Sequence, residues 1–451
     1  MKVLIIGAGK LGTKLATAML NAEILVTIID NDAKVIETVK NHLDVLTVNA
    51  NGAVKGVLEE LKIDTYQMTI AVTDSDDTNI LISSMAKKLG CKYTIARIRT
   101  PEYGNQLEFL KKMYKIDRFI NPELATANEI SRYLMESTTF YFGDYAHGKI
   151  ALVNFNVKNS PRFVGKKLSD ISQIDRLLIV AISRNGYTII PNGATALEEN
   201  DVIYVIGKHE KVADIANELS AIRGKKPIKK VMILGGGKIG FYLANKLTQK
   251  GMSVKIIESN MDRCKVLSET LHDNALVIHG NGTDINLLEE ENLADMDAFI
   301  GATGFDEQNL FMSLRAKQLN VHKVVAKISR QSYVPIIEKL GIDLAINPVN
   351  ISASEILKHI RGGQVVSVSL LLDGQAEVTE IIAAENLKVL NTPLKDINIP
   401  EGVIIGAIVH NNKVIIPQGD SIIKAGDLMV IFSLLSKVQS LETFFRLKEG
   451  R

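Results

Sequence analysis

Three glycines in Gly7-Ala8-Gly9-Lys10-Leu11-Gly12 have the spacing of a phosphate-holding turn, and Asp30 follows the first of them by 23 residues. The same set returns 228 residues later as Gly235-Gly236-Gly237-Lys238-Ile239-Gly240, with Glu258 in the place of Asp30. In such a turn the first glycine makes the sharp exit from a strand, and the second lets the backbone approach a pyrophosphate. The third lets the following helix pack closely on that strand. Phosphates then lie at a helix N-terminus, where unpaired N–H groups and the helix dipole favour negative charge. The carboxylate accepts from ribose hydroxyls and repels a 2′-phosphate, so NAD(H) is favoured over NADP(H). Lys10 and Lys238 do not make a P-loop, because no G-x-x-x-x-G-K-[ST] occurs. A tight turn that binds nothing is the competing reading of one such loop. Strand, glycines, helix and a correctly spaced carboxylate, all found twice, favour a nucleotide in each half.

The apolar runs at 3–6 and 231–234 feed the two turns, and those at 25–29 and 254–257 end at the two carboxylates. Other segments repeat as well. Asn49-Ala50-Asn51-Gly52 answers Gly280-Asn281-Gly282-Thr283, and the stretch 70–79, which holds Thr73 and Asp74, answers 300–309, which holds Thr303. Ile95-Ala96-Arg97-Ile98 answers Val325-Ala326-Lys327-Ile328, and Asn121-Pro122 answers Asn347-Pro348. Strand-length apolar runs alternate with helical stretches, which predicts a doubly wound parallel sheet of about six strands in each copy. Beyond each Asn-Pro a helix is expected, over 123–136 and 349–361. The texture then changes to strands and turns. His147-Gly148 matches Asp373-Gly374 as a hairpin turn, Asp201 matches Asp427, and a helix is expected near 210–221 and near 436–446. Lys225-Lys226-Pro227-Ile228-Lys229-Lys230 reads as a linker. The expected fold is α/β, with Rossmann-like lobes at 1–136 and 228–362, each followed by a small α+β lobe, at 137–222 and 363–448.

Composition sets outer limits. A chain of 451 residues is too long for one core. Its 46% hydrophobic and 23% charged residues are ordinary for globular protein, and a net charge of +2 gives no case for nucleic acid. Cys91 and Cys264 are too few for a redox CxxC or a metal cluster, and fit a reducing cytoplasm. No signal peptide precedes the first strand, and no apolar run approaches the roughly 18 residues of a membrane span. The expectation is a cytoplasmic chain without a transmembrane segment, which reaches a membrane only through a partner.

With the duplication, both fingerprints, the stretch Thr73-Asp74-Ser75-Asp76-Asp77-Thr78-Asn79 and the run from Ala96 to Tyr103, the chain resembles the TrkA family of Trk potassium-uptake proteins along its full length. That family consists of peripheral subunits with two tandem RCK (KTN) domains, each with a Rossmann lobe and a C-terminal lobe. The resemblance implies a homo-oligomer, a dimer or higher ring on the inner face of the cell membrane. Bound NAD(H), ATP or ADP would control a Trk-type potassium-translocating subunit. It places phosphates on residues 7–11, ribose on Asp30, and Asn51, Thr73, Asp74 and Arg97 around the rest of the first cleft. The second cleft would use residues 235–239, Glu258, Asn281, Thr303 and Lys327. Asp74 becomes Gly304 and Arg97 becomes Lys327 there, so a carboxylate is lost and a bidentate fork becomes a point charge. The two sites need not share a ligand.

An NAD-dependent oxidoreductase is the main alternative. It needs an acid–base group near a nicotinamide, and neither His147 nor His279 has a setting that suggests one. Asp74, Asp76 and Asp77 could suggest a metal, although carboxylates after a strand more often cap helices. A third reading makes the C-terminal lobes sensors of cyclic dinucleotides; the sequence singles out no pocket in them.

Overall fold

A computed structural model of the chain describes residues 1–20, 24–135, 141–159, 163–171, 177–220, 227–330, 333, 337, 340–361, 365–372, 375–387, 389–438 and 444. Asp373-Gly374, Lys225-Lys226 and most of 436–446 lie outside these. Among the described residues no helix is long and apolar enough to cross a membrane.

Continuous apolar runs make strands that are buried on both faces, the condition for parallel sheets covered by helices. Six form the first sheet: β1 (Lys2–Ile6), β2 (Leu25–Asp30), β3 (Leu46–Asn49), β4 (Met68–Ala71), β5 (Tyr93–Arg97) and β6 (Arg118–Ile120). All pairings are parallel and the order is β3-β2-β1-β4-β5-β6, the doubly wound order expected for a Rossmann lobe. The C-terminal lobe that follows holds β7 (Tyr141–Tyr145), β8 (Ile150–Asn156), β9 (Leu177–Arg184), β10 (Tyr187–Ile189) and β11 (Val202–Lys208). The second half repeats both sheets. Its parallel sheet is β12 (Lys230–Leu234), β13 (Ser253–Glu258), β14 (Ala275–His279), β15 (Ala298–Gly301), β16 (Lys323–Lys327) and β17 (Leu344–Ile346). Its order, β14-β13-β12-β15-β16-β17, is the same. Lys230 is therefore the first residue of a strand rather than the end of a linker.

The second antiparallel sheet contains β18 (Val365–Leu371), β19 (Ala376–Ile382), β20 (Val403–His410), β21 (Lys413–Ile415) and β22 (Leu428–Leu434). Asn185-Gly186 joins β9 to β10 and Asn411-Asn412 joins β20 to β21, all four with positive φ, which tight hairpins of the right twist require. His147-Gly148 turns with φ 55° and 82°. The two antiparallel sheets share one core, with Val180, Tyr204 and Ile206 against Val378, Val430 and Phe432. The matched aspartates pin turns. Asp201 accepts from Arg184 Nε at 2.8 Å and from the Glu198 N–H, and Asp427 pairs with His410 Nδ1 at 2.5 Å and accepts from the Lys424 N–H.

The chain divides into two compact units, and the division exchanges the helices that follow the Asn-Pro pairs. One unit joins Met1–Ala125 to Pro348–Gly362, and the other joins Thr126–Asn347 to Gly363–Arg451. Helix Pro348–Arg361, which follows the second parallel sheet in sequence, thus packs in the unit of the first, against helix Lys10–Leu20. Its His359 ring stacks on Tyr93 (centroids 6.2 Å, interplanar angle 26°), and its Glu355 pairs with Arg118 at 3.2 Å. Burial, with Arg118 and Lys358 nearby, lowers His359 from the ordinary imidazole value. In the other unit Lys323 stands where Tyr93 does in the first half, and Tyr133 where His359 does in the second. Lys323 is 2% exposed; its Nζ donates to the Tyr133 carbonyl at 2.6 Å and lies 4.4 Å from the centre of that ring. A self-paired arrangement would set Lys323 against His359, two bases in a buried place. The side chains at these positions therefore favour exchange over self-pairing.

A buried ammonium with a charged hydrogen bond and a ring contact is costly to truncate. Lys323→Ala should lower unfolding free energy by about 2–4 kcal/mol, read as a fall in the urea midpoint. A midpoint within error of the parent would remove Lys323 from the docking of residues 126–135.

Candidate functional site

In both parallel sheets the strand order reverses beside the first strand, between β1 and β4 and between β12 and β15. Ligands of such sheets occupy the crevice at the carboxyl ends of the strands at that reversal. The glycine turns leave β1 and β12 at this point. Gly7 and Gly235 have φ of 106° and 105°. A Cβ on Gly7 would lie 2.8 Å from the Val72 carbonyl carbon, and one on Gly235 would lie 3.0 Å from that of Ala302. A Cβ on Gly12 or Gly240 would fall 1.9 or 2.1 Å from the carbonyl oxygen of Gly7 or Gly235. Outer glycines are thus required by backbone packing. The middle ones are not, because a Cβ on Gly9 or Gly237 would meet nothing within 4 Å. Both face open space at the start of a helix, Lys10–Leu20 or Lys238–Gln249.

Asp30 and Glu258 end β2 and β13 and hold these turns. Asp30 accepts from the Ala8 N–H at 2.7 Å and the Asp32 N–H at 2.9 Å. Glu258 accepts from the Gly236 and Asn260 N–H groups, both at 2.8 Å. Each carboxylate oxygen keeps further acceptor capacity for a hydroxyl. Leu11 and Ile239 are buried in the core, which leaves only their backbone N–H groups for a ligand, and Lys10 is exposed. Asn51 and Asn281 lie in the loops after β3 and β14, where their Oδ1 atoms accept from the Ala53 and Thr283 N–H groups.

Thr73 and Thr303 follow β4 and β15, and each is held by an asparagine that sequence reasoning did not single out. Asn79 Oδ1 accepts from the Thr73 N–H at 2.8 Å, and its Nδ2 donates to the carbonyls of Thr73 and Arg97. Asn309 repeats every bond with Thr303 and Lys327. Asp76, weighed in the sequence only as a possible metal ligand or helix cap, and Asp306, which was not singled out, have a different role. Asp76 accepts from the N–H groups of Arg99 and Thr100, and Asp306 from those of Ser329 and Arg330, at 2.8–3.0 Å. These carboxylates clasp two loops. The identity of both positions across the halves was the available signal.

The cation at the end of β5 or β16 also reaches the threonine loop. Arg97 donates to the Thr73 carbonyl at 2.6 Å and to Asp74 Oδ1 at 3.3 Å; Lys327 Nζ donates to the Thr303 carbonyl at 2.5 Å. The Arg97 side chain is 13% exposed, and burial together with Arg99 lowers it from the ordinary guanidinium value. Its Nε is buried without a hydrogen-bond partner among the described residues. Asp74 is fully exposed at the rim. In the second half Gly235, Gly237, Glu258, Asn281 and Thr303 line one cleft of about 270 Å³ with Ser259, Phe305 and Gln308 among others. Gly236, Lys238, Ile239, Gly240 and Lys327 lie around it without lining it.

A TrkA-N domain matches residues 3–122 and 231–348, and a TrkA-C domain matches 152–220 and 378–446. Trk system potassium uptake protein TrkA homolog 2 of Methanosarcina mazei is 36% identical, over 99% of this chain and 100% of its own. Trk system potassium uptake protein TrkA of Vibrio alginolyticus is 34% identical over 99% of each chain. Among solved structures the GsuK RCK domain aligns with TM-score 0.58 and 18% identity, over 98% of this chain and 94% of that one. The GsuK channel bound to NAD aligns with TM-score 0.56 and 18% identity, over 98% and 78%. These likenesses establish a tandem RCK fold. By full-length identity, and by both domains occurring twice, the chain belongs to the TrkA family of Trk potassium uptake proteins.

Proposed function

We propose that this chain is a non-enzymatic regulatory subunit that binds an adenine nucleotide, NAD(H), ATP or ADP, in its Rossmann crevices and controls a membrane potassium-translocating subunit. One observation carries the reading. In both halves the middle fingerprint glycine faces open space at a helix N-terminus, beside a carboxylate, while the outer two glycines are packed against backbone. Phosphates fit that open space and ribose fits the carboxylate. The first site comprises Gly7 to Leu11, Asp30, Asn51, Thr73, Asp74 and Arg97; the second comprises Gly235 to Ile239, Glu258, Asn281, Thr303 and Lys327. GsuK structures solved with NAD and with ADP, and the names of the curated relatives, support the ligand class and the transport role. The chain works at the cytoplasmic face of the membrane as a homo-oligomer. A dehydrogenase is disfavoured because, among the described residues, the carboxylates at the clefts already accept from backbone N–H groups and the His279 ring is paired with the Ser259 carbonyl.

A nucleotide can drive transport only through unequal affinity for two arrangements of the protein, and docking on the transporter must then change nucleotide affinity by the same factor. Calorimetric titration with NADH, NAD⁺, ATP and ADP, with and without the membrane subunit, tests this. Binding at one or two sites per chain, without NADH oxidation and with affinity shifted by the partner, is expected. Equal affinity in both settings would refute control by linkage.

Gly9→Val should leave the thermal unfolding temperature within about 3 °C of the parent, since an exposed site free of packing shifts stability by about ±0.5 kcal/mol. The same change should remove nucleotide from the first crevice alone. Loss of all binding in this variant would mean that the two halves are not independent.

A further inference from the structure

The rims of the two crevices differ at adjacent positions in a way that the fold does not need. Asp74-Ser75 of the first half becomes Gly304-Phe305 in the second. Ser75 caps helix Asp76–Lys88, accepting from the Thr78 N–H at 3.2 Å. Phe305 holds the same cap position of helix Asp306–Gln318 and makes no side-chain cap bond. The exchange gives up a helix cap, and the ring that replaces it is 64% exposed. Neither change stabilises the chain. Phe305 lines the second cleft.

Its backbone is firmly placed there. The Phe305 N–H donates to Thr303 Oγ1 at 3.1 Å, the hydroxyl returns a bond to the Phe305 carbonyl at 3.2 Å, and Asn309 fixes Thr303 in turn. Gly304 removes the carboxylate that Asp74 sets at the first rim. The second rim thus lacks that carboxylate and carries Phe305 on an anchored loop, in the same cleft as the glycine turn and Glu258. Aromatic faces stack on planar heterocycles with little regard to their identity.

We propose that Phe305 is a stacking platform for the planar heteroaromatic ring of the nucleotide held in the second cleft. The inference rests on that cleft taking a nucleotide. It makes the second site select for a ring, whereas the first, with Asp74, Ser75 and the Arg97 guanidinium, recognises charge. Adenine and nicotinamide both satisfy the chemistry, and separate ligands distinguish them.

The chain has no tryptophan, so Phe305→Trp supplies a single reporter. The full-length protein is used with Gly9→Val added, so that only the second site binds. Tryptophan emission should fall on adding NADH. A fall with ADP assigns the adenine, and a fall with nicotinamide mononucleotide assigns the nicotinamide. Ribose 5-phosphate, which has no ring, should leave emission unchanged. Phe305→Ser should weaken calorimetric affinity about tenfold, while Phe305→Tyr should retain it. Parental affinity in Phe305→Ser overturns the stacking role, and so does constant emission while heat of binding is measured. Parental affinity with a changed oligomeric mass would instead make Phe305 a contact between copies. No nucleotide heat at the second site of the Gly9→Val protein with Phe305 intact would overturn the nucleotide reading of that cleft, and the stacking role with it.

Discussion

Backbone touching backbone is the constraint on which each crevice depends. The turn after β1 lies so close to the start of the loop after β4 that a single carbon on Gly7 would sit 2.8 Å from the Val72 carbonyl carbon. The helix after the turn approaches as closely, through Gly12 and the Gly7 carbonyl. No side chain can mediate these contacts. They bring an uncapped helix N-terminus, a carboxylate at the end of β2 and the threonine loop after β4 to one place, and the second half repeats the construction around Gly235 and Gly240. The ligand-binding chemistry follows from that crowding, because only the middle glycine is left with space in front of it.

Duplication then lets the two sites diverge on an unchanged frame. The asparagines that hold the threonine loops repeat their bonds in both halves, and Asp76 and Asp306 each accept from two backbone N–H groups of the loop after β5 or β16. The changes fall where they leave the frame alone: Asp30 to Glu258, Arg97 to Lys327, Asp74-Ser75 to Gly304-Phe305. Exchanging a buried fork for a flexible ammonium weakens geometric recognition while keeping charge. A rim that loses its carboxylate and gains an aromatic residue alters which part of a ligand is read. Two sites of one origin can thereby answer to different features of related nucleotides.

Much of this was legible in the sequence, because strand, glycine and carboxylate signals are local. Six parallel strands per half, both fingerprints and the change of texture into the small lobes all follow from patterns within about 30 residues. The exchange of helices was not legible. Tyr93 and Lys323 read as ordinary strand-opening residues, and only their partners, His359 and Tyr133, show that each is matched to a helix from the other half of the sequence. The role of Asp76 was hidden for a related reason. Beside Asp74 and Asp77 it looks like a possible cation ligand, yet its carboxylate is used by N–H groups 23 and 24 residues away. A contact across such a separation leaves no local period to detect.

The exchange also bears on which site can act on what. Residues 126–347 and 363–451 form one compact unit, so the second crevice shares its unit with both antiparallel sheets, while the first crevice shares its unit with a helix from the far end of the second half. A ligand that pulls on the Thr303 loop acts within the body that contains the common core of the small lobes. One that pulls on the Thr73 loop acts on β4 and β5, and Tyr93, which opens β5, is stacked on His359. On the proposed function, a nucleotide in each crevice acts within a different unit, the second in the unit that holds both antiparallel sheets and the first in the unit that holds the exchanged helix. Each can shift the equilibrium only by its own differential affinity.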